Sequence, residues 1–337
     1  MITIAVDAMG GDHAPRPEVE AAVLAARELG VRILLVGQPA AMKHELARHA
    51  HRGLLVELVP ASETIAMKDP PMQAFRKKKD SSVHVAARLV RAGQADGLVS
   101  AGNTGAVMAV ARFSLGTLGA VDRAALAAPF PTARGGASVL LDVGANVDSK
   151  VEHLVQFAVM GEIYYRAIFG TRRPKVALLS IGEEEMKGNE LTREAYHLLK
   201  RMPLNFVGNV EGRDVFAGNV DVIVCDGFIG NVALKISEGV AQLIVTLLKD
   251  ALRSTLSSQV GSLLSRRAFE GLKKKIDYSE YGGAPLLGVR GITVIAHGSS
   301  NSNAIKNAIR VATELARAKM NEKIEQGLSA LAVMARA

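Results

Sequence analysis

Short, nearly unbroken apolar runs alternate along this chain with longer stretches whose apolar residues recur at three- and four-residue spacing. The runs at 2–6, 32–36, 54–58, 97–100, 138–142, 176–181, 205–207, 220–225 and 291–296 read as strands. They are rich in Val, Ile and Leu and do not alternate with polar residues, as expected of strands covered on both faces. The stretches at 18–29, 40–49, 82–92, 151–169, 191–201, 232–255 and 303–326 carry the helical period. Alternation of this kind predicts the α/β class: a three-layer α/β/α sandwich around a largely parallel sheet. No repeat, low-complexity tract or Pro/Ser linker divides the chain, so residues 1–337 are expected to form a single α/β body. A helical pair at about 243–276, joined near 256–261, is expected to project from it.

Open α/β sheets bind ligands at the carboxyl ends of their strands. Six predicted strands here end in Gly, Asp, Asn and Ser: 7–13, 100–105, 142–146, 180–189, 225–231 and 297–301. Turn chemistry accounts for any one of them. Six together predict a single polar, glycine-lined crevice. Within it, Ser100, Gly102, Asn103 and Thr104 form the best candidate anion loop, where backbone N–H groups approach closely and a helix N-terminus follows. No Gly-Lys-Ser/Thr follows this loop and no G-x-G-x-x-G follows a strand, which argues against a nucleotide.

Lys187 follows the acidic run Glu183–Glu184–Glu185, either as a clamp for a phosphoryl or carbonyl oxygen or as an ion-pair partner of Glu183 or Glu184. His297, ahead of Gly-Ser-Ser-Asn, is a candidate proton donor. No G-x-S-x-G elbow or His/Cys metal cluster is present, so neither a serine triad nor a metal is expected. Cys225, flanked by Val222, Ile223 and Val224, reads as a buried small hydrophobe.

Composition narrows the field further. The chain is 49% hydrophobic and 22% charged, which excludes disorder, and its aromatic content of 4% argues against a base-stacking surface for nucleic acid. One cysteine makes no internal disulfide, so a reducing cytoplasm is expected. The N-terminus reads as a strand, without the basic and apolar regions of a signal peptide. The longest apolar-looking stretch, about 102–121, is broken by Arg112, and a soluble protein is expected.

The net charge of +8 is concentrated in three segments: 71–100 (6 basic, 2 acidic), 251–300 (7 and 3) and 301–337 (6 and 3). Two basic runs stand out, Arg76–Lys79 and the group Arg266, Arg267, Lys273, Lys274 and Lys275. The latter accompanies Leu256, Val260, Leu263, Leu264, Leu272 and Ile276, which share one helical face. A helix of that kind either packs against the body or docks on an anionic membrane or acidic protein.

The segments DAMGGDHAP, SAGNTGA, DVGAN, IGEEEMKGN, VCDGFIGNVALK, DYSEYGGAPLLGV and AHGSSN, in this order across the whole chain, resemble the bacterial phosphate acyltransferases of phospholipid synthesis (the PlsX family). The resemblance implies a fold similar to phosphotransacetylase and to isocitrate or isopropylmalate dehydrogenases. It implies an enzyme without a cofactor that makes acyl phosphate reversibly from inorganic phosphate and long-chain acyl groups carried by the acidic acyl carrier protein. A homodimer is implied too, loosely attached to the inner face of the cell membrane beside a membrane glycerol-phosphate acyltransferase. In that chemistry Ser100, Gly102, Asn103 and Thr104 would hold phosphate and Lys187 would neutralise phosphate or oxyanion. Asn189, Asp226, Asn231 and Ser299 would complete the site, with His297 protonating the leaving thiolate. The basic group at 266–275 would dock the carrier protein or lipid. A coenzyme A-dependent short-chain phosphotransacetylase, a nicotinamide dehydrogenase and a non-enzymatic membrane-surface protein are the competing classes.

Overall fold

The computed structural model describes residues 1–267, 269, 271 and 282–334. In chain order the strands are β1 (Thr3–Asp7), β2 (Arg32–Gly37), β3 (Val56–Pro60), β4 (Gly97–Ser100), β5 (Ala125–Pro131), β6 (Ala137–Leu141), β7 (Lys175–Leu179), β8 (Asn205–Val210), β9 (Val222–Val224), β10 (Ala284–Leu287) and β11 (Ile292–Ile295). The helices are α1 (Arg16–Leu29), α2 (Pro39–Leu46), α3 (Pro71–Lys77), α4 (Ser82–Arg91), α5 (Thr104–Val110), α6 (Val151–Phe169), α7 (Glu190–Lys200), α8 (Gly227–Arg253), α9 (Leu256–Leu264), α10 (Ser302–Arg317) and α11 (Met320–Met334).

The strands hydrogen-bond in the order β3-β2-β1-β4-β11-β10-β5-β6-β9-β7-β8. Helices cover both faces, because alternate strand residues enter two separate cores. Ile4, Val6, Ile33 and Leu35 pack with α1, α6 and α10. Ala5, Leu34, Val36 and Leu98 pack with α4 and α5 on the other side. This is the expected three-layer arrangement.

The sheet departs from expectation at its centre. Strands β3, β2, β1, β4 and β11 are mutually parallel, and so are β6, β9, β7 and β8. Between them β10 pairs antiparallel with both β11 and β5, and β5 pairs antiparallel with β6. Three reversals leave the two parallel halves running in opposite directions. Neither β5 nor β10 was expected from the sequence pattern. The β5 segment, Ala-Leu-Ala-Ala-Pro-Phe-Pro, has no β-branched residue and two prolines, which cannot donate to a ladder.

Two helical expectations also change. The run 303–326 is two helices, broken where Lys319 turns left-handed at φ 51°. In the region expected to hold the helical pair, α8 extends from Gly227 to Arg253 and α9 from Leu256 to Leu264, so the chain breaks at Ser254 and Thr255, before the expected joint at 256–261, and α9 stops at Leu264. By length and composition alone α8 could cross a membrane, and of its residues only Gly227 and Gly230 are buried. Among the described residues it, and not a helix in 102–121, meets that length and composition. Its charged residues Lys235, Glu238, Lys249 and Asp250 fall between the apolar positions and mask the pattern. Arg266 and Arg267 are exposed; Lys273, Lys274 and Lys275 lie outside the described residues.

Candidate active site

Although the halves run in opposite directions, their polar strand ends form two groups that meet at one cavity, with Thr104 and His297 from one group and Gly144 and Asn231 from the other lining it. The first group is the ends of β1, β4 and β11. Asp7 is buried there, and the Ser100 hydroxyl donates to its carboxylate at 2.7 Å while accepting from Gly102 N at 3.1 Å. Burial pushes the Asp7 carboxyl up, against the hydrogen bonds that Ser82, Ser100 and Met9 contribute. The loops touch so closely that a Cβ on Gly10 would stand 2.7 Å from the Asp7 carboxylate and 2.8 Å from Gly102 N.

Asn103 caps α5, its Oδ1 accepting from Ala106 N at 3.0 Å, while its Nδ2 donates to the carbonyls of Met67 and Asp69. The polar groups of Ser100 and Asn103 thus hold the loop together, and Thr104 is the residue of this loop that faces the cavity described below. Next to it, His297 Nδ1 lies 2.8 Å from Ser299 Oγ and accepts from Ser299 N at 3.3 Å. An accepting Nδ1 places the proton of the neutral ring on Nε2.

The second group is the ends of β6, β7 and β9. Asp142 is completely buried. Its Oδ1 accepts from the N–H groups of Leu126, Gly144 and Ala145, and its Oδ2 from Asn146 N and Nδ2. Burial pushes this carboxyl up and those donors oppose the shift. The loop so formed receives the start of α8. Asp226 caps that helix by accepting from Phe228 N and Ile229 N, both at 3.0 Å. Gly230 passes so near the Asp142 carbonyl that a Cβ there would overlap it. Cys225 is buried, as expected, and burial pushes its thiol well up.

The loop after β7 carries Lys187 and leads to Asn189, which caps α7 by accepting from Thr192 N at 2.9 Å. Glu183 pairs with Arg213 and Glu185 with Lys200, while the backbone carbonyl of Glu184 accepts from Asn209 Nδ2. Lys187 is exposed, and among the described residues it forms no ion pair with Glu183 or Glu184, the partners expected for it.

A cavity of about 450 Å³ lies between α5 and α8, floored by β5, β10 and β11, within the ~300–1,000 Å³ usual for small-molecule sites. Thr104, Asn231 and His297 line it, joined by Ser300, Gly144 and the ion pair Lys235–Glu238. Ser237 also lines it, and the rest of its wall is apolar. Ser100, Gly102, Asn103, Lys187, Asn189, Asp226 and Ser299 do not line it; they lie in the loops beside it. Lys235 and Glu238 escaped sequence reading, although their spacing of four and seven from Asn231 puts all three on one helical face.

A family model described as "Fatty acid synthesis protein" matches residues 2–323. The chain is 59% identical over 335 residues to a phosphate acyltransferase of Koribacter versatilis, covering 98% of this chain and 93% of that one. It is 56% identical over 326 residues to a phosphate acyltransferase of Geobacter sp. strain M21, covering 97% and 92%. The chain belongs to the phosphate acyltransferase family. Its fold is that of the phosphotransacetylases: one from Streptococcus pyogenes superposes with a TM-score of 0.61 at 17% identity over 94% of each chain. A branched-chain phosphotransacylase from Enterococcus faecalis V583 gives 0.55 at 17% identity, covering 94% of this chain and 99% of that one. In this acyltransferase, both groups of polar strand ends therefore contribute to one cavity.

Proposed function

We propose that this phosphate acyltransferase forms acyl phosphate reversibly from inorganic phosphate and a long-chain acyl group borne by acyl carrier protein, and so supplies phospholipid synthesis. The observation that carries the reading is the cavity itself, apolar through most of its wall and polar at Thr104, Asn231, His297 and Ser300 and along the α8 side chains Lys235, Ser237 and Glu238. A phosphate oxygen attacks the thioester carbonyl, a tetrahedral oxyanion forms, the C–S bond breaks, and the phosphopantetheine thiolate takes up a proton. The chemistry requires orientation and charge stabilisation rather than an enzyme nucleophile, and each well-placed donor contributes on the order of 3 kcal/mol.

Lys187 neutralises phosphate or oxyanion, Thr104 and Asn231 orient the reacting groups, and His297 supplies the proton from Nε2. Ser100, Gly102 and Asn103 shape the phosphate loop. Asn189, Asp226 and Ser299 hold the loops and the His297 ring that carry the reacting groups.

The same reading gives the surface its partners. Arg266, Arg267 and the lysines at 273–275 attract the acidic carrier protein or an anionic membrane. The exposed apolar row Val232, Ile236, Val240, Leu243 and Leu247 on α8 supports burial against a second copy of the chain and loose attachment to the inner face of the cell membrane, beside the glycerol-phosphate acyltransferase that consumes the product. A coenzyme A-dependent short-chain phosphotransacetylase is the second reading, favoured by the shared fold. Comparing acetyl-coenzyme A with long-chain acyl carrier protein separates the two. Phosphate-dependent release of carrier-protein thiol is expected; no release at saturating phosphate sinks the proposal.

A further inference from the structure

The cavity exists because of what its floor lacks. Along β5, Leu126, Ala128 and Phe130 point to the cavity face at the two-residue period of a strand. Between the two large side chains Ala128 presents a single methyl group. On the neighbouring strand, Leu286 pairs with Leu126, so Ala284 stands beside Ala128 and also offers only a methyl. Met108 of α5 and Leu234 of α8 wall the space above these two alanines. Phe130 closes against Phe216 edge to face, with ring centroids 5.7 Å apart. An apolar trough of this volume, opening beside Thr104 and His297, suits a flexible hydrocarbon tail whose reacting head stays at the polar rim.

Building on the proposed acyl transfer, the geometry points to this trough as the site of the acyl chain, with Ala128 and Ala284 setting the length it accepts. A leucine at either position adds three carbons to the floor and displaces about three methylenes of substrate. Each methylene removed from an apolar site weakens binding about four-fold, so the loss for a long chain is on the order of 50-fold, while a chain too short to reach the floor avoids it.

Two measurements on the whole protein test this. In the first, Ala128→Leu and Ala284→Leu are assayed with carrier protein charged with eight- and sixteen-carbon chains at saturating phosphate. Thermal melting verifies that each variant is folded. The ratio of kcat/KM for the longer over the shorter chain is expected to fall at least ten-fold. An unchanged ratio in a folded variant, with both chains affected equally or not at all, overturns the inference.

The second measurement does not depend on turnover. Ala128→Cys is alkylated with iodoacetamide, the buried Cys225 giving little background. A sixteen-carbon fatty acid is expected to slow the labelling and a four-carbon acid is not. Equal labelling with both acids overturns the assignment. If the wild-type protein releases no thiol from either charged carrier, the proposed function fails, and the labelling decides the trough on its own.

Discussion

Removing the Asp142 carboxylate should come close to unfolding the protein. In Asp142→Ala, Leu126 N, Gly144 N, Ala145 N and Asn146 N all lose their acceptor, while Asn146 Nδ2 retains the Ala124 carbonyl. Leu126 N is in the sealed interior and bears the penalty of an unsatisfied buried donor, about 1–3 kcal/mol. The three loop N–H groups are only part-buried and recover some of their loss through water, leaving about 0.5–1.5 kcal/mol each. The total is about 2.5–7.5 kcal/mol, against a whole-domain stability of roughly 5–15 kcal/mol. Asp142→Asn keeps one oxygen for the three donors at Oδ1 but turns an amide toward Asn146, and should cost about half as much. Urea denaturation followed by far-UV circular dichroism measures both. The expected order of stability is wild type, Asn, then Ala. An alanine variant within about 1 kcal/mol of wild type, or indistinguishable from the asparagine variant, would refute the assignment of this carboxylate as the fastening of the 142–146 loop.

Lys187→Ala should raise the KM for phosphate on the order of ten-fold or more, the worth of a hydrogen bond to a charged group; wild-type turnover at low phosphate removes its proposed role. Glu18 is buried beneath the Gly10–Gly11 loop, and burial, reinforced by Asp7, pushes its carboxyl up to about 7. The folded state therefore holds a proton that the unfolded chain releases near the ordinary carboxylate pKa, and stability falls as pH rises from about 4.5 to about 7, by on the order of 2–3 kcal/mol. Glu18→Gln should flatten that slope and stabilise the protein at pH 8 more than at pH 5; equal effects in urea melts at the two pH values contradict the argument. Asp226→Ala should lower stability by about 1–2 kcal/mol through loss of the α8 cap, and Asp226→Ser should restore most of it. A serine variant no better than alanine in the same melts means the cap is not what Asp226 contributes.

Local pattern carried most of the architecture. The nine strands expected from apolar runs all form, within a few residues of their expected ends, because a strand buried on both faces must be apolar throughout wherever its partners lie. The polar ends of those strands were legible for a similar reason, since turns and helix caps require Gly, Asn, Asp and Ser at defined positions. Asn103, Asn189 and Asp226 are indeed caps. Their side chains meet the adjacent helix N–H groups, a local demand that sequence reading could not separate from ligand binding.

Strand direction is a different kind of information. It depends on which remote segment supplies the hydrogen-bond partner, and β5 and β10 both carry proline and lack β-branched residues, so nothing in their own composition marks them as the centre of the sheet. Their antiparallel pairing turns the two halves against each other, brings Thr104 and His297 of one half and Gly144 and Asn231 of the other to one cavity, and lays Ala128 and Ala284 side by side. The residue types suited to acyl transfer could be read along the chain. The space between them, and the side chains that face it, exist only after segments more than 150 residues apart have paired.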